Sequence, residues 1–160
     1  STGNPGLPQA APEVIAMMTR PKPDPATDPD GFLASSLAFA RQIAGGAGGF
    51  DERAHAALLL AELQRAHDPA ADARQLAAMV TAGDRRAQLA GIAVPTLVVH
   101  GTDDPLIPPA GGIDTAGAIP GAELLLVQGM CHDLPECFHS QIIDAIDRTA
   151  RRGRPGSARV

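Results

Sequence analysis

Two stretches of sequence decide the fold of this chain: VPTLVVHGTDDPLIP at residues 94–108 and ELLLVQGMCHDLP at residues 123–135. Each segment begins with a short apolar run, typical of a strand buried on both faces of a parallel sheet, and then enters a polar turn. Residues 109–119 lie between them and have room for a short helix. A strand, helix, strand crossover joins neighbouring parallel strands with right-handed geometry. We therefore predict that residues 95–100 and 122–127 are adjacent parallel strands.

The turn after each predicted strand carries side chains that can do acid and base chemistry. Asp103 and Asp104 follow the first strand, and His132 follows the second. Because parallel strands end at the same edge of a sheet, these side chains are expected to share one crevice. A carboxylate that orients an imidazole is an arrangement used in general base catalysis. The plainer alternative is that the aspartates only build a turn and His132 only caps a loop.

The composition indicates a globular protein and disfavours several classes of partner. The chain has 160 residues, of which 44% are hydrophobic and 19% charged, enough for one domain. A net charge of -5 and an aromatic content of 2% give no basic footprint and no stacking platform for nucleic acid. No apolar run approaches the roughly 18 residues of a membrane helix, and the N-terminus lacks a signal-peptide pattern. We expect a soluble, cytoplasmic protein with reduced thiols and neither a nucleic-acid nor a membrane partner.

The remaining sequence divides into a helical block, the strand region and two irregular ends. Apolar residues recur at helical spacing before the first strand, and the glycines of residues 45–49 predict a flexible connection between helices rather than a phosphate loop, since no strand precedes them. The predicted regions are a loop at 1–12, a helical block at 13–90, a strand-helix-strand-helix portion at 91–150 and a disordered basic tail at 151–160.

Two parallel strands do not form a stable sheet without neighbours and cover. The chain also opens in a loop with no strand before its first helix. We therefore expect further strands upstream of Ser1, or self-association, to cover the sheet.

The two quoted segments resemble the C-terminal part of an α/β-hydrolase, in the group of small bacterial carboxylic-ester hydrolases that includes the aclacinomycin methylesterase-like enzymes. The patterns G-x-x-D-P-L-I-P and G-M-x-H-D-L-P at this separation carry the resemblance. Residues 72–92 and 1–8 are also similar to that group, as the end of a helical cap and the loop after the sixth strand. The resemblance implies a helical cap followed by two parallel strands with flanking helices.

The resemblance also implies a catalytic role for two residues. Asp104, three residues after Gly101, takes the place of the family's acid, and His132 takes the place of its general base. The order of acid and then histidine is the order in which this fold uses them. The parent reaction would be hydrolysis of a small-molecule ester through an acyl-serine, without a metal or an organic cofactor. The particular ester, and lactonase, thioesterase or peptidase chemistry, remain open.

Two departures from the family pattern bear on activity. Cys131 stands where the family commonly has glycine, and its side chain can displace His132. No G-x-S-x-G occurs in the chain, so the nucleophile and the oxyanion hole have no counterpart. Ser35 and Ser36 lie in a helical pattern without flanking glycines and do not replace the nucleophile. We therefore expect this chain alone to be inactive.

The sequence also allows a zinc site. Four residues of the types that zinc prefers lie close together in sequence: Cys131, His132, Cys137 and His139. Adjacent residues such as Cys131 and His132, however, do not easily face one ion. The chain can also be a non-catalytic binding or structural remnant of the fold. If the helical block is a cap, an apolar acyl pocket within it would be lined by Met17, Met18, Phe32, Phe39 and Met79.

Overall fold

A computed structural model describes residues 1–44, 46–68 and 70–153 of the chain. These residues form seven α-helices, one 3-10 helix and two strands. The helices that precede the strands are α1 (Pro12–Thr19), α2 (Pro29–Ile43), α3 (Glu52–Arg65), α4 (Ala71–Thr81) and α5 (Arg86–Leu89). The elements that follow are β1 (Leu97–Gly101), α6 (Pro109–Ala118), β2 (Glu123–Val127), a 3-10 turn (Glu136–Phe138) and α7 (His139–Arg152).

Local sequence signals explain where the helices begin. Asp28 caps α2 by accepting a hydrogen bond from the amide of Gly31, and Asp51 caps α3 in the same way. Proline occupies the first turn of α1, α2 and α6, where its missing N–H has no helical partner to lose. Within the described residues, the five helices α1 to α5 precede the first strand.

The two strands are parallel neighbours, as predicted. Their register pairs Leu97 with Glu123 at one end and Gly101 with Val127 at the other. Helix α6 connects them and packs against both strands. The crossover brings the turns that follow Gly101 and Val127 to the same edge of the sheet, which is where the predicted acid and histidine lie.

Helix α7 packs against the sheet with one narrow face. The core comprises Val127, Met130, Phe138 and Ile142, with Val99 and Leu125 against it. Ala145 and Thr149 continue the buried face of α7. Ile143 and Ile146 belong to the same apolar stripe of the sequence as Ile142, but they are 60% and 53% exposed. The buried positions are spaced by four, three and four residues, so the apolar stripe of the sequence is wider than the face that the sheet covers.

The strands are less buried than expected. The first four residues of β1, Leu97 to His100, are half-buried, and Leu126 of β2 is 39% exposed. Within the described residues the sheet therefore lacks the cover on both faces that its apolar sequence predicts.

Helix α7 runs to Arg152, two residues into the predicted tail, and residues 154–160 lie outside the described part of the chain. None of the helices within the described ranges combines the length and the apolar character that crossing a bilayer requires.

Candidate active site

Asp104 and His132 form a hydrogen-bonded pair at the carboxyl edge of the sheet. The Nδ1 of His132 lies 2.8 Å from Oδ2 of Asp104, and the aspartate is 8% exposed. Because a carboxylate only accepts, Nδ1 carries the proton and donates it. The other oxygen, Oδ1, accepts from the amides of Leu106 and Ile107, each at 2.9 Å. The predicted contact between the two residues is confirmed.

The neighbouring aspartate is placed differently. Asp103 is exposed, and its Oδ1 accepts from the hydroxyl of Thr102 at 2.8 Å. Its amide donates to the carbonyl of Met130 at 3.0 Å. Asp103 therefore ties its own turn together, and the choice of Asp104 as the partner of His132 agrees with the geometry.

Backbone contacts hold the two turns against each other. A Cβ added at Gly101 would lie 2.1 Å from the carbonyl oxygen of Met130, so only glycine allows this close approach. The amide of Thr102 donates to Val127 at 3.0 Å, and its hydroxyl accepts from the amide of Gly129 at 2.9 Å. These bonds fix the separation of the acid and the histidine.

The histidine turn is also held by the helical block. The amide of His132 donates to the carbonyl of Ile43, in the last turn of α2, at 2.9 Å. The segment after α2, residues 44–49, here called the glycine connection, forms an antiparallel bridge from Gly46 to Met130. Gly46 has a φ of +84°, and an added Cβ would lie 2.4 Å from the carbonyl oxygen of Gly129. We predicted a flexible connection between helices; within it, Gly46 and Ala47 contact the histidine turn, and Gly45 lies outside the described residues.

Cys131 does not displace the histidine. The cysteine is 7% exposed, and His132 keeps its bond to Asp104 beside it. Of the other zinc-type residues, His139 bonds through Nε2 to the carbonyl of Leu134 at 3.0 Å, and Cys137 is exposed. Within the described ranges, no group of three or more His, Cys, Asp or Glu residues is arranged to hold a metal ion.

The pair shifts the pKa of both of its members. Burial is the largest single influence on Asp104 and raises its pKa, but the bond from His132, the amides of Ile107 and Leu106 and the charge of His132 together lower it. The bond to Asp104 is the largest influence on His132 and raises its pKa; burial opposes this, and the charge of Asp133 adds to the rise. Both shifts favour a carboxylate beside an imidazolium.

A cleft of about 330 Å³ opens over the pair. It is lined by Ser1, Val99, His100, Gly101, Asp104, Ile107, Met130, Cys131, His132, Asp133 and Leu134. A groove of about 380 Å³ between α2 and α3 is slightly larger, but it lies away from the pair and has no comparable acid and base. The methionine and phenylalanine residues that we expected to line a pocket border neither of these two clefts.

The first residues of the chain reach the cleft because they are anchored on α6. Thr2 is fully buried, and its hydroxyl donates to the carboxylate of Asp114. That bond is the largest cause of the lowered pKa of Asp114. The side-chain amide of Asn4 donates to the same carboxylate at 3.1 Å, and the amide of Arg85 donates to the carbonyl of Thr2 at 2.8 Å. This anchoring places Ser1 at the wall of the cleft.

Two contributors to the site, His100 and Ile43, are not among the residues predicted from the sequence. His100 falls at the end of the predicted strand at residues 95–100, and a histidine in an otherwise apolar run is the signal that could reveal it. Ile43 contributes through its backbone carbonyl, which no side-chain pattern reveals. The glycine-rich stretch after α2 is visible in the sequence, but the contact of Gly46 with the histidine turn depends on tertiary structure.

Comparison with known proteins finds one matching family and two similar structures. Residues 73–148 match the model of a family, Abhydrolase_4, described as TAP-like protein; the match includes both strands, Asp104 and His132. An esterase from Rhodococcus sp. ECU1013 is similar with a TM-score of 0.60 and 16% identity, over 91% of this chain and 50% of that one. An enol-lactonase from Burkholderia xenovorans LB400 is similar with a TM-score of 0.47 and 25% identity, over 88% of this chain and 48% of that one.

The chain spans about half the length of these two structures. The family match and the likeness to the esterase structure show that the chain carries the C-terminal part of an α/β-hydrolase fold, and the predicted fold class is confirmed. Together they support assignment of the chain to the α/β-hydrolase superfamily.

Proposed function

We propose that this α/β-hydrolase chain supplies the acid, Asp104, and the general base, His132, of a serine-type carboxylic-ester hydrolase. The observation that carries the proposal is the 2.8 Å bond between Nδ1 of His132 and Oδ2 of Asp104 at the carboxyl edge of two parallel strands. This edge is where ligands bind in open α/β sheets. The cleft above the pair has the size of a small-molecule site.

The orientation of His132 suits the proposed role. Its Nδ1 faces the carboxylate, and its side chain is 38% exposed, which leaves Nε2 as the nitrogen that can serve a serine. Nε2 would take the proton from the serine hydroxyl as its oxygen attacks the ester carbonyl, and would then give that proton to the departing alcohol. Water would repeat the two transfers to release the acid. Asp104 would hold the ring tautomer and stabilise the imidazolium, in agreement with the raised pKa of His132.

The nucleophile would come from a segment outside this chain. No G-x-S-x-G is present in the sequence, and the chain matches only about half of each similar structure. In this fold the serine sits on a strained turn between a strand and a helix, and backbone amides near it form the oxyanion hole. The chain alone would therefore lack both groups and hydrolyse esters no faster than an unassisted imidazole.

The substrate would be a small-molecule ester, with no metal or organic cofactor taking part. The resemblance to the aclacinomycin methylesterase-like group favours a carboxylic ester. In that arrangement residues 13–90, which contain α1 to α5, would form the cap.

The experiment compares two polypeptides. One is the chain alone, and the other is the chain joined to the segment encoded upstream of Ser1. Both are incubated with p-nitrophenyl butyrate and with a fluorophosphonate probe. We expect labelling and turnover only in the longer polypeptide, at the serine of a G-x-S-x-G segment. His132→Ala should lower its turnover by about 10⁶-fold and Asp104→Asn by about 10⁴-fold.

Two outcomes would contradict the proposal. An upstream sequence without any G-x-S-x-G segment would favour a non-catalytic remnant of the fold. Stoichiometric labelling of the chain alone, for example at Ser1, with turnover that depends on His132, would show that the nucleophile is already present.

A further inference from the structure

His100 is a mostly buried polar residue for which the proposed reaction has no use. It is the fourth residue of β1, and its side chain is 13% exposed. Its Nε2 lies 2.8 Å from the carbonyl oxygen of Ile107 and 3.7 Å from Oδ2 of Asp104. The first distance is a hydrogen bond and the second is too long for one. The ring therefore bridges the end of the strand to the far side of the turn that holds the acid.

The partner of His100 fixes the tautomer of its ring. A backbone carbonyl can only accept, so the proton of this bond must be on Nε2. The same nitrogen lies 3.7 Å from Oδ2 of the Asp104 carboxylate.

The residue that His100 binds belongs to the support of the acid. The amide of Ile107, together with that of Leu106, donates to Oδ1 of Asp104 at 2.9 Å. These two bonds occupy Oδ1 and leave Oδ2 directed at His132. By binding the carbonyl of Ile107, His100 restrains the turn that carries these two amides.

A glycine on α6 provides the space for the His100 ring. A Cβ added at Gly112 would lie 2.7 Å from both Cβ and Cγ of His100 and 2.8 Å from its Nδ1. Real Cβ atoms do not approach so closely, so any larger residue at this position must move the histidine. Gly112 is buried and lies within the helix, where glycine costs stability relative to alanine. The contact with His100 gives a physical reason for that cost.

We propose that His100 is a positioning residue for Asp104: it anchors the turn at residues 104–107 so that the carboxylate presents one oxygen to the backbone amides and the other to His132. The inference rests on the proposed function of the pair, and it adds a third side chain to the site. His100 does not reach the reacting atoms in this arrangement and acts through Asp104.

The test is an NMR titration of His132 in the chain itself, combined with hydrogen exchange at the amides of Leu106 and Ile107. His100→Leu removes the donor and keeps an apolar side chain. We expect a lower pKa for His132 and roughly five- to tenfold faster exchange at both amides, the effect of losing about one hydrogen bond. His100→Gln restores an N–H that can reach the carbonyl of Ile107, and should recover most of both values.

A second pair of variants tests the same contact without changing His100. Gly112→Ala should displace the ring and reproduce the lower His132 pKa and the faster exchange. Gly117→Ala on the same helix is the matched control, because an added Cβ there has no atom within 4 Å. It should leave both readings at their native values. Asp133, which also raises the pKa of His132, is unchanged in all of these variants.

Asp104→Asn separates this inference from the proposed function. If Asp104→Asn lowers the His132 pKa while His100→Leu and Gly112→Ala leave it and both exchange rates at native values, the positioning role is wrong and the pair stands. If Asp104→Asn itself leaves the pKa unchanged, the pair does not exist in solution, and the proposed function fails with it. If His100→Leu does not fold, the Gln and Gly112→Ala readings decide by the same criteria.

Discussion

The amide of His132 donates to the carbonyl of Ile43 at 2.9 Å, so the last turn of α2 holds the backbone of the proposed general base. The glycine connection extends this contact, since the amide of Ala47 donates to the carbonyl of Gly129 at 3.0 Å. The helical block and the histidine turn are therefore joined by backbone bonds over a sequence separation of more than 80 residues. A displacement of the end of α2 would move the proposed base relative to its acid.

Gly46→Ala should break this junction, and Gly49→Ala is its matched control. Both glycines have a positive φ, so alanine costs about 1 to 2 kcal/mol at either position. Only at Gly46 would the new Cβ also meet the backbone of Gly129, whereas nothing lies within 4 Å of a Cβ at Gly49. We expect Gly46→Ala to lower the free energy of unfolding in urea by about 1 to 3 kcal/mol more than the control.

Hydrogen exchange gives the local reading of the same experiment. The amide of His132 should exchange faster in Gly46→Ala and at the native rate in Gly49→Ala. Equal losses of stability with equal exchange would mean that the glycine connection does not hold the histidine turn.

Asp104→Asn should lower the pKa of His132, and Asp103→Asn should leave it nearly unchanged. The bond to the Asp104 carboxylate is the largest cause of the raised pKa, and without that charge the burial of the ring acts in the opposite direction. Asp103 carries the same charge one residue away but bonds to Thr102. Titration of the imidazole Cε1–H resonance by NMR measures both variants. Similar shifts in the two would indicate a general charge effect rather than a specific pair.

The free energy of unfolding should depend on pH through both Asp104 and His132. Asp104 has a lowered pKa in the folded state, so its contribution is present above its ordinary value of about 3.9 and is lost as the pH falls through the folded value. His132 has a raised pKa, so its contribution is present below its ordinary value of about 6.5 and is lost as the pH rises through the folded value. The ion pair is thus complete between about pH 4 and 6.5.

The measurement compares the native chain with Asp104→Asn by urea denaturation across this range. The difference in the free energy of unfolding should be largest between about pH 4 and 6.5 and smaller on both sides. On the alkaline side part of it should persist, because the amides of Leu106 and Ile107 still bind the carboxylate. A difference that is constant with pH would contradict an ion pair in the folded state.

The strands and the pair could be predicted from sequence because their signals are local. An apolar run that stops at Gly101 or at Gly129 marks both a strand and its end, and the carboxyl edge of a parallel pair is common to both strands. The contact between His132 and Ile43 could not be predicted, since a backbone carbonyl at the end of a helix has no sequence signature. The role of His100 depends on Gly112, and a glycine inside a helix gives no indication of which side chain it accommodates.

The apolar pattern of α7 likewise predicted a helix but not which of its apolar residues would be covered. Phe138, Ile142, Ile143 and Ile146 all fit a broad helical stripe. Which part of that stripe is buried depends on the position and width of the sheet beneath it. Ile142 faces the sheet and is 6% exposed, whereas its neighbour Ile143 is 60% exposed.

Ile142→Ala and Ile143→Ala therefore form a matched pair with the same chemical change in different surroundings. Ile142→Ala removes side-chain atoms from the core formed with Val127, Met130 and Phe138, and should lower the free energy of unfolding by about 2 to 4 kcal/mol. Ile143→Ala should change it by no more than about 0.5 kcal/mol, since water already surrounds most of that side chain. Urea denaturation of both variants measures the two values. Equal losses would mean that something covers Ile143 in solution, and sedimentation equilibrium of the native chain would then show whether that partner is a second copy.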